Sequence, residues 1–563
     1  KLDWLTDKPV WIDQWPLSSE KLKALEELVE EQLQQGHIEL TDRNWNSPVF
    51  VIRKPGKDRW RLLHDLREIN KVIRDMGSLQ PGMPSPTMLP RNWNLVVIDL
   101  KDAFFQIPLH PDDAPRFAFS VPEINRKAPR ARYHWKVLPQ GMKNSPSICQ
   151  WYIASLLSPV QALVPDVIIL HYMDDILLCA PEDDLLAHAL DLTTTALTKA
   201  GFELQLDKIQ KTAPWKYLGL QLGKHQITPQ NLHIRTDIRT LNDAQQLCGS
   251  LNWLRPWLGL TNEDLSPLFD LLKGGEDLNA PRTLTREAQA ALKKVSKAIS
   301  TRQANRYDPT LPFSYIILGK LPHLHALIFQ DPLLIIEWVF LSHHRPKRMT
   351  RPQELVAELI RKGRSRLWEL SGCEFGCIHI PIKLKSGHLT KEMLEQLLQD
   401  CEPLQFALEG FGGQISIHRP SHKIFNSASQ FYLSLESVRS EVPINALTIF
   451  TDGSGASHRS VVTWFDPDTR RWESDVEVVE GSPQVAELHA VVRIFERFPV
   501  PFSLVTDSAY SAGVVERAED AVLQEVSNRT IFELLSKLVK LVSSRVEKFF
   551  VMHVRSHTDL PGF

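Results

Sequence analysis

Asp174 and Asp175 stand side by side between two short apolar runs, Val167-Ile168-Ile169-Leu170 before them and Ile176-Leu177-Leu178 after. Runs of that length around a polar tip read as a β-hairpin. Two buried strands presenting two acids at a tip can grip a divalent cation. Taken alone, the pair also fits an ordinary solvated Asp-Asp turn. A third acid decides between the readings, because the apolar run Val96-Val97-Ile98 delivers Asp99 at its end. Three carboxylates, each at the exit of an apolar strand, can hold two magnesium ions about 4 Å apart, one activating an attacking hydroxyl and one steadying a leaving phosphate. Phosphoryl transfer asks for charge neutralisation and positioning more than for covalent help. The chain has no G-x4-G-K-S/T loop, so the phosphates must be held by other means.

The elements that must position these acids are legible on both sides. Leu22, Leu25, Leu28, Val29 and Leu33 recur at helical spacing between Ser18 and Gln35, with Gly36 at the end. Strand-like Ser47 to Ile52 follows, then a basic turn and Trp60-Arg61-Leu62-Leu63. Proline and glycine punctuate residues 77–90 and predict a loop-rich connection. A strand is expected over Leu95–Leu100 and an amphipathic helix over about Glu182–Ala200. Residues 230–305 read as helical, with Leu241, Leu247, Leu251, Leu254 and Trp257 recurring, until Tyr307-Asp308-Pro309 breaks the pattern. Beyond a mixed region to about residue 440, strand Leu447 to Phe450 opens a segment that alternates strands with helices.

Composition narrows the class. A chain of 563 residues holds roughly three to five domains. Its 43% hydrophobic content supports packed cores, and a net charge of −2 means that any polyanion must be met by local basic stripes. Six cysteines make no disulfide framework, which points to a reducing compartment. The lone Cys373-x3-Cys377 lacks the second pair a zinc site needs. The apolar stretch Leu327–Leu341 is interrupted by Gln330, Asp331, Pro332 and Glu337, so it does not read as a membrane span. The chain opens on Lys1 and stops at Phe563, and both ends read as cut.

At this point a resemblance is plain. Tyr172-Met173-Asp174-Asp175, Leu138-Pro139-Gln140-Gly141-Met142, Trp60-Arg61-Leu62-Leu63-His64-Asp65-Leu66-Arg67 and Asp99-Leu100-Lys101-Asp102 occur in the order and spacing of a retroviral reverse transcriptase. The likeness covers nearly the whole chain. Pro9 to Leu17 and Val137 to Met142 look nearer to betaretroviral, alpharetroviral and related endogenous-virus enzymes than to lentiviral ones.

The resemblance implies a multidomain α/β and α+β fold. A right-hand polymerase would comprise interleaved fingers and palm (1–229) and a thumb (230–305), followed by a connection domain (306–440) and a truncated ribonuclease H-like domain (441–563). It implies that Asp99, Asp174 and Asp175, with Leu100, bind the metals, two Mg²⁺ per site with Mn²⁺ able to substitute. It places Lys54 and Arg61 on the nucleotide's phosphates, which suits a cation and a bidentate guanidinium. Asp102 and Ala103 would line the 3′-hydroxyl pocket, Gln140 would pack beside the nucleotide, and Met173 would touch the primer end. Phe104, otherwise readable as core, would be the steric gate that rejects a ribose 2′-hydroxyl. Tyr217-Leu218-Gly219 resembles the primer grip, and Gln245, Gly249 and Trp253 share one helix face that would follow the duplex minor groove. A mid-helix glycine costs roughly 1 kcal/mol against alanine, so close approach is the expected reason for Gly249.

A second set of acids matches ribonuclease H. Asp452 follows a strand in Thr451-Asp452-Gly453-Ser454, Glu487 lies in helical Val485 to Ala490, and Asp507 follows strand Phe502 to Thr506. His557 matches the family's mobile histidine. The family's fourth carboxylate comes after that histidine; Phe563 precedes it and Asp559 is too near. The expectation is therefore a span that polymerises but cleaves RNA weakly or not at all. Nothing equivalent to Thr451-Asp452-Gly453 opens the connection region. Its basic cluster His343-His344-Arg345-Pro346-Lys347-Arg348 reads equally as a nucleic-acid contact or a solvated loop.

The expected partners are an RNA template, a DNA primer, RNA/DNA hybrid and deoxynucleoside triphosphates, with no membrane. Subunit state, monomer or dimer, is left open. The expected location is the virion core and the infected cell's cytoplasm after release from a polyprotein. The alternative is a truncated structural subunit of a reverse transcriptase dimer. An RNA-dependent RNA polymerase would share the palm acids, but Phe104 and the ribonuclease H remnant argue against it.

Overall fold

Long apolar runs set the framework, and the chain divides into two units: residues 1–232 with 305–307, and residues 233–304 with 308–563. The computed structural model describes residues 1–77, 83–124, 127–230, 236–342, 349–384, 387–426, 431–454 and 456–556. The basic cluster at 343–348 and His557 lie outside the described residues.

In the first unit, helix α1 (Ser19–Gln34) starts where the Ser18 hydroxyl accepts from the Lys21 N–H, and it buries Leu22, Leu25 and Val29. Strands β1 (Val49–Arg53) and β2 (Trp60–His64) form a hairpin in which Ile52 faces Arg61. The functional sheet is built from β3 (Asn94–Asp99), β4 (Ile168–Tyr172) and β5 (Asp175–Ala180), in the order β3-β5-β4, all antiparallel. Leu95 to Ile98 and Ile176 to Ala180 are buried without a break, as in strands covered on both faces. Helices α2 (Ser145–Leu163) and α3 (Asp183–Lys199) pack on this sheet. A small hairpin, β6 (Trp215–Tyr217) and β7 (Leu220–Leu222), lies beside β3.

The second unit opens with α4 (Leu241–Leu258), α5 (Asn262–Phe269) and α6 (Arg286–Thr301). Capping boxes start the first two: Thr240 with Asp243, and Thr261 with Asp264. Next come β8 (Ser314–Lys320), β9 (His323–Gln330), β10 (Leu334–Phe340), helix α7 (Pro352–Ser371), β11 (Cys377–His379) and β12 (Gln414–Ser416). Last come β13 (Leu447–Ser454), β14 (Arg459–Asp466), β15 (Arg471–Val478), α8 (Pro483–Arg497), β16 (Phe502–Thr506), α9 (Arg529–Ser543) and β17 (Phe549–His553).

The two five-stranded sheets, β10-β9-β8-β11-β12 and β15-β14-β13-β16-β17, have the same topology. In each, a three-strand meander is extended on its first strand by two parallel strands. The first strand of the earlier sheet, Ser314–Lys320, carries no acid, whereas that of the later one carries Asp452. The interrupted apolar stretch at 327–341 is a pair of these strands, and among the described residues no helix is long and apolar enough to cross a membrane.

One buried group in the first unit makes the fold acid-sensitive. The His64 ring accepts from the Trp135 indole N–H at Nδ1 and meets the Ser47 carbonyl at Nε2, both at 3.2 Å. That arrangement fits the neutral Nε2–H tautomer, and protonating Nδ1 would set N–H against N–H. Burial, opposed by the Ser47 carbonyl and Asp65, pushes the imidazole down to about 4. The unfolded chain therefore takes up a proton near pH 6.5 that the folded chain refuses until about pH 4. Stability present above pH 6.5 should be lost as pH falls through this window, by roughly 3 kcal/mol in all. Urea melts from pH 7 to 4 should show this slope, and His64→Asn should flatten it; an unchanged slope would assign the acid sensitivity elsewhere.

Candidate active sites and nucleic-acid interface

Antiparallel pairing decides where the first acids stand. Asp99, the last residue of β3, is in register with Asp175, the first of β5. Tyr172 pairs with Asp175, so the tip of the β4–β5 hairpin is only Met173 and Asp174. The apolar strands thus reach closer to the acids than the sequence reading placed them. Met173 has φ of 53°, the positive value that a two-residue hairpin demands at its first central position. Two bonds hold this strained tip in place. The Met173 N–H donates to the Gln150 side-chain oxygen at 2.5 Å, and the Leu100 N–H donates to the Asp174 carbonyl at 3.0 Å.

The three acids feel one another. Burial raises Asp174 above the usual carboxylate range, its own backbone opposes, and Asp99 adds to the rise. Burial pushes Asp175 up to about 6, with Asp174 and Asp99 contributing next. Among the described residues no three His, Cys, Asp or Glu side chains stand close enough to hold one ion. Like charges placed opposite one another repel, whereas the backbone register keeps their Cα positions together. The donor set is all hard oxygen, which fits magnesium or manganese.

Around these acids the structure unites some expected residues and leaves others apart. The Arg61 guanidinium donates to the Gln140 side-chain oxygen at 2.9 Å. Lys54 is exposed at the turn of the β1–β2 hairpin, its N–H bonded to the Arg59 carbonyl. Asp102 has φ of 45° and starts a single helical turn that buries Ala103 and half-buries Phe104. Phe105 stacks on Trp135 with ring centroids 5.4 Å apart, and Phe104 and Phe105 both pack, half-buried, against the core of the first unit. Leu218 and Gly219, with φ of 49° and 77°, form the tight turn between β6 and β7, and positive φ at both central positions is what such a turn requires. They belong to the first unit, while Gln245, Gly249 and Trp253 belong to the second.

Two participants, Gln150 and Asn70, escaped the sequence reading. Gln150 braces the tip, and its signal was a glutamine buried in an otherwise apolar helix. Asn70 clamps the loop that carries Gln140, donating to the Gly141 carbonyl and accepting from the Lys143 N–H. Tyr217, of the primer-grip motif, is buried with no hydrogen-bond partner for its hydroxyl among the described residues, and burial followed by Asp175 raises its pKa.

The second cluster is assembled by parallel strands. Thr451 on β13 pairs with Thr506 on β16, so Asp452 and Asp507 follow at the carboxyl ends of neighbouring strands. Helix α8 brings Glu487 against Gly453 so closely that a Cβ there would lie 2.7 Å from the Glu487 backbone nitrogen. Burial raises Glu487, a Ser508 hydrogen bond opposes, and Asp507 and Asp452 add to the rise. The His553 ring reaches the Asp507 carbonyl at 3.3 Å.

Residues 52–222 match the reverse transcriptase (RNA-dependent DNA polymerase) family, and 229–293 the reverse transcriptase thumb domain. Residues 322–425 match the ERVK-8-like, RNaseH-like domain, and 444–562 match RNase H. The class is therefore an RNA-directed DNA polymerase joined to ribonuclease H. The Gag-Pro-Pol polyprotein of mouse mammary tumor virus (strain BR6) is 42% identical over all of this chain and 31% of its own length. Those of sheep pulmonary adenomatosis virus and Mason-Pfizer monkey virus are each 38% identical over all of this chain, and 32% and 31% of their own lengths. The chain spans about a third of the length of these relatives. It belongs to the retroviral reverse transcriptase–ribonuclease H family.

The helix α4 gives a sharp test of the interface. Gln245 and Gly249 are exposed, Trp253 is half-buried, and among the described residues nothing lies within 4 Å of a Cβ placed on Gly249. The close approach expected at this glycine is therefore not made by the protein's own atoms. Gly249→Ala should stabilise the chain by about 1 kcal/mol yet weaken primer–template binding. Urea melts and filter binding measure the two effects; a variant that is more stable and binds as well would remove this face from the interface.

Proposed function

We propose that this chain is a DNA polymerase that copies RNA and DNA templates by adding deoxynucleotides to a primer, and that its ribonuclease H unit acts on RNA/DNA hybrid. The observation that carries the reading is the register that sets Asp99 opposite Asp175 beside the stapled Asp174 tip. Asp99, Asp174 and Asp175, with the Leu100 carbonyl, would hold two Mg²⁺, with Mn²⁺ able to substitute. Bound there, the cations neutralise the charge on the phosphoryl group being transferred.

The chain's own residues do the remaining work. Lys54 and Arg61 hold the triphosphate, and Gln140 fixes the Arg61 guanidinium while it packs beside the nucleotide. Asp102 and Ala103 shape the pocket for the sugar's 3′ edge. Phe104 stands where a 2′-hydroxyl would project and so favours deoxynucleotides. Met173, held on its strained tip, meets the primer end, and Leu218 and Gly219 grip the primer strand. Gln245, Gly249 and Trp253 follow the duplex, whose phosphates make binding weaken with salt. Asp452, Glu487 and Asp507 would hold a second metal pair for hydrolysis of the RNA strand, with His557 near the scissile phosphate. Release from a polyprotein and action in the virion core and cytoplasm accord with the relatives.

Primer extension on poly(rA)·oligo(dT) with dTTP and Mg²⁺ tests the polymerase reading directly, and absence of product from the purified chain would refute it. Asp174→Asn should cut extension by roughly two to three orders of magnitude while primer–template binding persists. Asp452→Asn should leave extension intact and remove whatever hybrid cleavage the chain has. An Asp174→Asn enzyme that still turns over would take that acid out of the metal site.

Sugar selection gives a separate check. Phe104→Ala should raise ribonucleotide incorporation relative to deoxynucleotide by about tenfold or more, the range that one steric contact supplies. Single-nucleotide insertion kinetics with dTTP and UTP measure the ratio, and an unchanged ratio would return Phe104 to the core.

A further inference from the structure

Away from both acid clusters, a cavity of about 580 Å³ opens between α4, β10 and α7, within the second unit. Four cations line it, Arg255, Arg361, Lys362 and Arg366, against two carboxylates, Glu337 and Glu369. Two of these cations already have partners. Arg366 grips the buried Glu337 through bonds of 2.7 and 2.9 Å and lies 3.5 Å from Glu369. Lys362 donates to the Phe340 carbonyl at 3.0 Å and lies 3.8 Å from Glu358. Arg361 is exposed and makes no hydrogen bond or ion pair among the described residues.

Arg255 is the informative group. It is only 8% exposed, its Nε donates to the Leu260 carbonyl at 3.1 Å, and its guanidinium lies 4.1 Å from the Phe340 ring centroid. Among the described residues its buried Nη2 has no hydrogen-bond partner. Burial lowers its pKa to about 10, with Asp264 opposing, so the group is still a cation at neutral pH. A buried guanidinium N–H without an acceptor is costly, and an anion at the cavity wall would complete it. Trp338 and Phe340 supply aromatic walls beside the cations. Cationic donors next to flat apolar faces, in a cavity of this volume, suit a phosphate ester with a planar group.

We propose that this cavity binds a phosphate-bearing ligand, with phosphate oxygens accepting from Arg255 and Arg361 and a planar group resting on the aromatic wall. The phosphate can come from a free nucleotide or from a nucleic-acid backbone. An occupant would touch α4, β10 and α7 at once, and so would tie the helical segment to the sheet that follows it.

Equilibrium dialysis of the full chain against labelled ATP in EDTA tests this, because EDTA suppresses metal-dependent nucleotide binding at the acid clusters. The expected result is one saturable site, displaced by inorganic tripolyphosphate and weakened about tenfold in Arg361→Gln and in Arg255→Gln. Arg529→Gln, which alters a side chain 91% exposed elsewhere in the unit, should bind as the parent does. Arg361 is exposed, so its variant keeps the test decisive if Arg255→Gln fails to fold. Displacement of ATP by a long RNA/DNA hybrid would uphold the site and name backbone phosphate as its source; failure to displace would name a free nucleotide. No saturable binding at millimolar ATP, or binding indifferent to both substitutions, overturns the proposal.

Discussion

Asp99 and Asp175 face each other across an antiparallel strand pair, and most of the first unit can be understood as what keeps them there. Like charges directly opposite destabilise a sheet, so the pairing must be enforced by something stronger. The enforcement is apolar. Leu95 to Ile98 and Ile176 to Ala180 are buried along their whole length, and each fully buried aliphatic side chain contributes about 1.5–3 kcal/mol. A slip of one residue would turn every side chain to the opposite face. The acids sit at the end of a register they did not choose, and their repulsion is left for a counter-charge to relieve. Burial pushes Asp175 up to about 6, and the neighbouring charges of Asp174 and then Asp99 add to the rise.

The second cluster meets the same problem with different parts. Parallel strands put Asp452 and Asp507 at one edge, and a helix rather than a strand brings the third acid. Helix α8 can come close enough only because Gly453 has no side chain. The earlier sheet of the same topology shows what is left without that chemistry: the first strand keeps its buried face, Ser314 to Leu318, and bears no acid. Sheet topology and catalytic equipment are thus separable in one chain, and a site must be argued from its residues rather than from its fold.

How much of this was legible depended on whether a feature is local. The β4–β5 hairpin, helices α1 and α3, and the acids themselves are written in runs of consecutive residues. Helix α2 was not anticipated, because Trp151, Tyr152 and Leu156 add apolar side chains beside the buried face of Cys149, Ile153, Leu157 and Val160 and blur its periodicity, and Pro159 reads as a breaker, although it falls in the last turns. Gln150 and Asn70 act across 23 and 71 positions of chain, distances that no pattern in a single sequence reveals. The two glycines divide in the same way. Gly249 and Gly453 look alike as letters, yet one meets open space and the other a helix backbone.

Arg306, just before the break at Tyr307-Asp308-Pro309, is a structural anchor. The sequence around it, before Asp308-Pro309, signals only the end of a helical stretch. In the fold it is fully buried, and its guanidinium donates to the carbonyls of Pro90, Trp93 and Gly223 at 2.5 to 3.0 Å. Residues 305–307 belong to the first unit although the chain on either side belongs to the second. A guanidinium has five donors in a rigid fork, and three backbone carbonyls from two loops match that fork better than a single carboxylate would. With no acid to neutralise it, burial lowers the Arg306 pKa, offset in part by the Cys179 thiol. Cys179 lies on β5, the strand that begins with Asp175. The anchor that returns the chain to the first unit is therefore packed against the strand that begins with Asp175, so the same core that fixes the register of Asp99 and Asp175 also fixes where the chain leaves it.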